Sequence, residues 1–288
     1  MKERNWSSFL FVMAAMLMMI FLNPNPVTLA EESRYSAMFM NVGKADAILL
    51  MLDGENYLVD TGSKDSYEQM EKVLGIYGIT HLDGVFITHT DKDHVGGLKK
   101  LLKSDIGVDR VYAARFHGEE SDEKHDAYKQ ANKQDVPFEW LDAGMTIQSG
   151  ECVFEVLGPI SHAPDSDNNN SLVMNLKTPE GNILLTGDME IEEETQLLMA
   201  GLIPQATVLK VAHHGGNDST STAFVAAVKP QWAIISTSTE EREETPDEEV
   251  LTILWQAKAG VAVTQDAQIG ILVNLRDGKA EALLINEK

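Results

Sequence analysis

The chain has 288 residues, 43% of them hydrophobic and 24% charged, a balance that supports a buried core under a soluble surface and excludes disordered and collagen-like classes. Asp and Glu total 45 against 23 Lys and Arg, for a net charge of −22, so the average surface repels phosphate polymers and passive binding to nucleic acid is disfavoured. The single cysteine, Cys152, can form neither an intramolecular disulfide nor a thiolate zinc cluster, which leaves His and carboxylates to hold any metal.

Residues 1–30 carry Lys2 and Arg4, then an unbroken apolar run over 9–22, then Asn23-Pro24-Asn25-Pro26 and a small-residue stretch ending at Ala30. The run is short for a membrane span, and the pattern reads as a secretory signal peptide, with an uncleaved anchor as the competing account. The expected product is a secreted or cell-surface protein of residues 31–288 with no stable membrane span after cleavage. No protein partner is inferable.

Residues 31–288 contain no Gly/Ser-rich or Pro-rich linker and read as one domain. In chain order, β-branched runs at 47–52, 85–88, 153–157, 183–186, 208–211, 233–236 and 269–275 predict strands buried on both faces. Amphipathic segments at 67–77, 190–199, 222–228 and 247–258 predict helices. Alternation of the two kinds implies an α/β domain. Thr245-Pro246-Asp247-Glu248 reads as a helix start, with Thr245 as N-cap and Pro246 at the first helical position. A strand-turn-strand-Thr-Gly pattern over 48–62 returns over 172–187, hinting at two related halves. His81, His117 and His125 stand in polar surroundings and are expected at the surface, Trp140, Trp232 and Trp255 in the core, and 118–134 as an insertion that could cover a site.

The densest chemistry follows the strand at 85–88, where His89, Asp91, Asp93 and His94 fall within six positions and Gly96-Gly97 let the backbone pass close by. In an extended turn His89 and Asp91 point one way, while Asp93 and His94 serve a second point. An N-capping loop with surface carboxylates accounts for one Asp but poorly for four potential ligands. Asp188 ends the run 183–187, and His213-His214 end the run 208–212, and strand ends are where α/β sheets place their sites. Together these residues suffice for two divalent ions, with one or other of the His pair taking part.

These stretches, with Asn41-Val42-Gly43-Lys44-Ala45-Asp46-Ala47, Leu58-Val59-Asp60-Thr61-Gly62 and Asn169-Asn170-Ser171-Leu172-Val173, run in an order that resembles the metallo-β-lactamase superfamily, in particular ComEC-type hydrolase domains. The resemblance implies an αββα sandwich of two mixed β-sheets flanked by helices. It also implies that His89 and Asp91 face a first ion, that Asp93, His94 and His214 face a second, and that Asp188 bridges. His213 would support the site or transfer protons, with the roles of the His pair exchangeable, and Asp93 would be catalytic. Asp60, Asn170, Ser171 and Thr245 are candidates for substrate contacts or ligand support. Two positions depart from relatives: Thr245-Pro246 replaces His-Pro, and Lys44-Ala45 replaces Gln-Gly. The loop at 161–171 is placed to give the first ion a further ligand through His162, Asp165, Asp167 or Asn168 to Asn170, with a polar turn favoured for His162.

Asp91 in place of a third motif His moves the expected metal toward manganese and leaves zinc open. Two such ions hold a hydroxide nucleophile at neutral pH and clamp the oxygens of a displacement at phosphorus. The expected activity is hydrolysis of a small phosphodiester or short single-stranded nucleic acid. Two other readings stay open, a lactam, lactone or thioester hydrolase on the same scaffold and a metal-binding interaction module impaired in catalysis. The acidic residues of 239–250 oppose a long polyanion, while Lys44, Lys92 and Lys210 offset that field locally.

Overall fold

A computed structural model describes residues 33–118, 121–241 and 244–287. The signal-peptide expectation for residues 1–30 lies outside them. Among the described residues no helix is long and apolar enough to cross a membrane.

The first half runs β1 (Tyr35–Met40), β2 (Ile48–Leu52), β3 (Glu55–Val59), α1 (Tyr67–Ile76), β4 (His81–Leu82), β5 (Gly84–Ile87), α2 (Lys92–Val95) and α3 (Leu98–Leu101). It continues through β6 (Gly107–Val108), β7 (Val111–Ala114), α4 (Asp126–Lys133) and β8 (Phe138–Leu141). The second half runs β9 (Thr146–Ser149), β10 (Cys152–Gly158), β11 (Val173–Thr178), β12 (Gly181–Leu185), α5 (Ile191–Met199) and β13 (Val208–Lys210). Then come α6 (Thr222–Val228), β14 (Trp232–Ile235), α7 (Glu248–Gln256), β15 (Gly260–Val263), β16 (Gly270–Arg276) and β17 (Lys279–Ile285).

Two large sheets result, ordered β17-β16-β1-β2-β3-β5-β7-β8 and β9-β10-β11-β12-β13-β14-β15, with β4 and β6 paired separately. Period-two alternation divides each strand between two cores. Along β1, Tyr35, Ala37 and Phe39 join the core between the sheets, whereas Met38 and Met40 join the layer under α1, α3 and α4. Phe86 of β5, stacked on Tyr112 with centroids 4.8 Å apart, meets Phe154 of the second sheet at the same distance. Leu184, Leu209 and Ala233 turn outward and pack with Leu197 of α5, Phe224 of α6 and Leu254 of α7. Helices therefore cover both outer faces, giving the expected αββα sandwich.

The repeated pattern is structural. β1, β2 and β3 form an antiparallel meander, followed by β5, β7 and β8 in parallel. β10, β11 and β12 form another, followed by β13, β14 and β15 in parallel. The pairs Ile48 with Val59 and Met174 with Leu185 occupy matching registers.

Several local expectations fail. The N-cap of α7 is Asp247, whose carboxylate accepts from Glu249 N at 2.7 Å, so Pro246 stands before the helix and Thr245 does not cap it. Trp255 is 76% exposed because the inward stripe of α7 runs through Val250 and Leu254, leaving the next residue outside it. His125 is buried: its ring packs on Trp140 and Phe138, and Nδ1 accepts from Tyr128 N at the start of α4. His117 stacks on Trp140 at 5.1 Å, whereas His81 is exposed beside Asp109. Within the charged insertion, α4 is bound to the outer face of the first sheet through Ala127 and Ala131 and does not act as a free cover.

Candidate metal centre

The C-terminal ends of β3, β5, β12, β13 and β14 meet at one edge of the sandwich, the usual place for a site in sheets with parallel strands. Asp60 follows β3 in left-handed conformation with φ 58°, and its carboxylate accepts from Thr88 N, Thr88 Oγ1 and His94 Nδ1, each at 2.8 Å. An acceptor on Nδ1 places the imidazole proton there and turns a lone pair outward on Nε2. His214 receives the same treatment, its Nδ1 donating to Ser236 O at 2.7 Å. His89 Nδ1 contacts Thr88 Oγ1 at 3.1 Å.

Those Nε2 atoms converge. One ligand atom from each of His89, His94 and Asp188 lies within 4.8 Å of the others, and the same holds for Asp93, His94 and His214 and for Asp46, Asp188 and His214. Asp188 Oδ2 stands 3.2 Å from His94 Nε2 and 3.1 Å from His214 Nε2. Nε2 of His89, His94 and His214 and Oδ1 of Asp188 are buried with no hydrogen-bond partner among the described residues. An unsatisfied buried polar atom costs on the order of 1–3 kcal/mol, so four gathered at one point form a donor set fitted to divalent cations. Asp91 is exposed, with Oδ2 3.8 Å from His89 Nε2.

Charge is concentrated to match. Burial opposes ionisation of Asp188, yet the imidazoles of His214 and His94 hold its carboxyl well below the usual range. Burial likewise lowers His94, but Asp188 and Asp60 outweigh it and raise its pKa well above the ordinary imidazole value, and a cation at Nε2 would displace the proton that this carboxylate field attracts. His214 is raised in the same way by Asp188 and Asp93. Asp93, against the effect of burial, is held low by His214, His94 and Lys44, whose Nζ lies 2.6 Å from Asp93 Oδ2.

The remaining expected residues have other neighbours. His213, at φ 44°, donates from Nδ1 to Asp218 Oδ1 at 2.8 Å. Ser171 Oγ accepts from Asp188 N at 3.1 Å, and Gly187, at φ 53°, lets that turn close on Thr88. Asn170 is occupied in its own loop, donating to Ala163 O and Ser166 O and accepting from Ala163 N. Thr245 is buried, its hydroxyl 2.6 Å from that of Thr237, and so braces the end of β14 next to Ser236. In the 161–171 loop, Asp167 accepts from Thr90 N, Thr90 Oγ1 and Gly118 N, which fixes the backbone between His89 and Asp91. His162 Nε2 meets His117 O at 3.0 Å.

Sequence reasoning passed over Asp46 as a site residue and undervalued Lys210. Both are 1% exposed and ion-paired at 2.8 Å, with Lys210 also donating to Val211 O. The signal was present: a lysine inside the apolar run 208–212 requires a buried anion.

A two-sheet αββα sandwich that gathers imidazoles and carboxylates at its strand ends defines a scaffold built to hold divalent cations. The chain belongs to the metallo-beta-lactamase superfamily, whose family model matches residues 40–238. It is 33% identical over 233 residues to ComE operon protein 3 of Bacillus subtilis, covering 75% of this chain and 30% of that protein. It is 29% identical over 230 residues to Recombination protein 2 of Haemophilus influenzae, covering 78% of this chain and 27% of the relative. The chain thus spans less than a third of the length of either relative. Its fold is shared with the metallo-beta-lactamase fold protein YhfI from Bacillus subtilis, with a TM-score of 0.55 at 12% identity, over 83% of this chain and 98% of that one.

Proposed function

We propose that the protein is an exported, metal-dependent hydrolase of phosphodiesters, taking a small phosphodiester or a short single-stranded nucleic acid. The observation that carries this reading is the set of four buried, unpartnered ligand atoms on His89, His94, His214 and Asp188. Their residues, with Asp91 and Asp93, would hold two divalent ions, Zn or Mn. Two such ions supply a nucleophile from water at neutral pH and neutralise charge on phosphorus oxygens. Asp60 and Ser236 orient the imidazoles of His94 and His214, and Ser171 holds the Asp188 turn. Asp93, with Oδ2 3.5 Å from His214 Nε2, would serve as a ligand and as the catalytic carboxylate. His213, steadied by Asp218, carries a proton to or from the reacting oxygens. The name of Recombination protein 2 favours nucleic acid over other esters. Export rests on the leader pattern of residues 1–30, and N-terminal sequencing of protein from the culture medium tests it.

Purified protein given Zn or Mn one at a time should turn over bis-p-nitrophenyl phosphate or a labelled oligonucleotide, and Asp93→Ala should abolish that turnover. Equal rates in wild type and Asp93→Ala would overturn the proposal. The contact of Lys44 Nζ with Asp93 Oδ2 at 2.6 Å favours one second reading, a metal-binding module whose turnover is suppressed. Stoichiometric metal uptake without hydrolysis of either substrate would select it.

A further inference from the structure

A groove of about 480 Å³ opens beside α2, the helix that carries Asp93 and His94. Lys64, Lys99, Lys100 and Lys103 line it, together with Tyr67 and Gly96. The placement follows from sequence. In α3, Leu98 and Leu101 are fully buried, so Lys99 and Lys100 take the outer side and Lys103 follows just beyond the helix. Lys64 comes from a different segment, the loop between β3 and α1. It is brought in by Gly96, where an added Cβ would stand 2.7 Å from Lys64 N and 2.2 Å from Lys92 O.

A solvated helix face accounts for lysines on α3 alone but not for this convergence. Lys64, Lys99 and Lys103 form no ion pair among the described residues. The one carboxylate lining the groove, Glu71, accepts from Tyr67 OH at 2.8 Å. Lys100 is positioned, with Nζ donating to Lys64 O at 3.0 Å and lying 5.2 Å from the Tyr67 ring centroid. Four lysines face that single carboxylate, so the groove keeps an excess of positive charge whose mutual repulsion an anionic ligand relieves.

We propose that this groove binds the phosphate backbone of a single-stranded nucleic acid and holds it beside the metal centre, so that the protein acts on a chain and not on an isolated ester. The proposal rests on the phosphodiester reading and narrows it. Lysines contact phosphates as point charges and read no bases, so binding is independent of sequence and dependent on salt. With three free lysines, the slope of log affinity against log salt is about −2, from about −0.7 per phosphate contact for single strands. Raising NaCl from 50 to 200 mM then weakens binding about 20-fold.

The test is fluorescence anisotropy of a labelled oligothymidylate with the full chain in EDTA, which reads binding without turnover. Wild type should bind with that salt slope. Lys99→Glu/Lys103→Glu, with circular dichroism matching wild type, should bind at least about tenfold more weakly at 50 mM NaCl, with a slope shallower than about −1. Lys64→Gln, outside the helix, should give a separate loss of about threefold. Lys279→Glu, at an exposed position on β17, should stay within about twofold of wild type. The proposal is overturned if the double variant binds as wild type does, if Lys279→Glu loses as much, or if millimolar inorganic phosphate displaces the strand completely. Groove-dependent binding without cleavage under any metal would defeat the hydrolase reading and leave the groove standing. Cleavage with unaltered affinity in the double variant would do the reverse.

Discussion

Asp60→Asn isolates the contribution of ligand orientation, because it changes one atom and keeps the backbone. Asn tolerates the left-handed conformation at φ 58°, and its carbonyl oxygen can still accept from Thr88 N. The change falls on Oδ2, which accepts from Thr88 Oγ1 and from His94 Nδ1 at 2.8 Å. An amide NH2 there is a donor facing a donor, and the imidazole relieves the conflict by moving its proton to Nε2. That proton occupies the lone pair aimed at the centre. Loss of such an orienting carboxylate typically weakens metal binding 10- to 100-fold, equivalent to about 1.4–2.7 kcal/mol. Competition against a chromophoric chelator measures the affinity, and nitrogen-detected NMR of the His94 ring reads the tautomer. Wild-type affinity in Asp60→Asn, with the proton still on Nδ1, would refute the reasoning.

Other consequences follow from the same contacts. Chelation should lower the melting temperature, since a cation held at 100 times its dissociation constant adds about 2.7 kcal/mol; identical melting in EDTA and in Zn or Mn would count against the centre. His125, buried against Trp140 and Phe138, is pushed down to about 4. The folded state then binds fewer protons than the unfolded one below about 6.5, so stability is lost as pH falls through that window; an NMR midpoint for His125 near 6.5 would show the burial to be wrong. Glu193 is fully buried with no cation beside it among the described residues, and burial, opposed only by the Ser171 backbone, pushes its pKa well up. Its folded form keeps a proton that the unfolded chain releases, so stability drains away as pH rises above about 4.3. Glu193→Gln should remove that loss, giving a melting-temperature gain that grows between pH 5 and 8, and a gain independent of pH would argue against it.

What was legible in the sequence was whatever a local pattern controls. Strands buried on both faces appear as apolar runs, and α1, α5, α6 and α7 appear through their stripes, so the layers could be anticipated from patterning. Asp93, His94, Asp188 and His214 were legible because each ends or closely follows such a run. The rest depends on partners remote in sequence. His125 has polar neighbours along the chain, but its burial comes from Trp140 and Phe138 across the fold. The capping of α7 was misplaced because Thr245 is drawn to Thr237, leaving Asp247 to satisfy the first amides. Asn170 looked available for substrate, yet both polar atoms of its side chain serve Ala163 and Ser166.

The repeated halves explain why one centre draws on segments so far apart. In each half, a hairpin's second strand ends in a Thr-Gly turn next to a carboxylate, Asp60 after β3 and Asp188 after β12. In each, the next parallel strand delivers the imidazoles, His89 and His94 beyond β5, His213 and His214 beyond β13. The turns are built alike: Thr61 Oγ1 donates to His94 O, and Thr186 Oγ1 donates to Lys210 O. The carboxylates have diverged. Asp60 sits one residue before its Thr-Gly and grips His94 Nδ1 from behind, whereas Asp188 follows its Thr-Gly and reaches Nε2 of His94 and His214 from the front. Two equivalent sheet edges facing each other thus supply opposite sides of the same imidazole, one fixing its proton and the other sharing its lone pair's target. A single sheet edge offers only one of those directions, which is why the centre forms where the two halves meet.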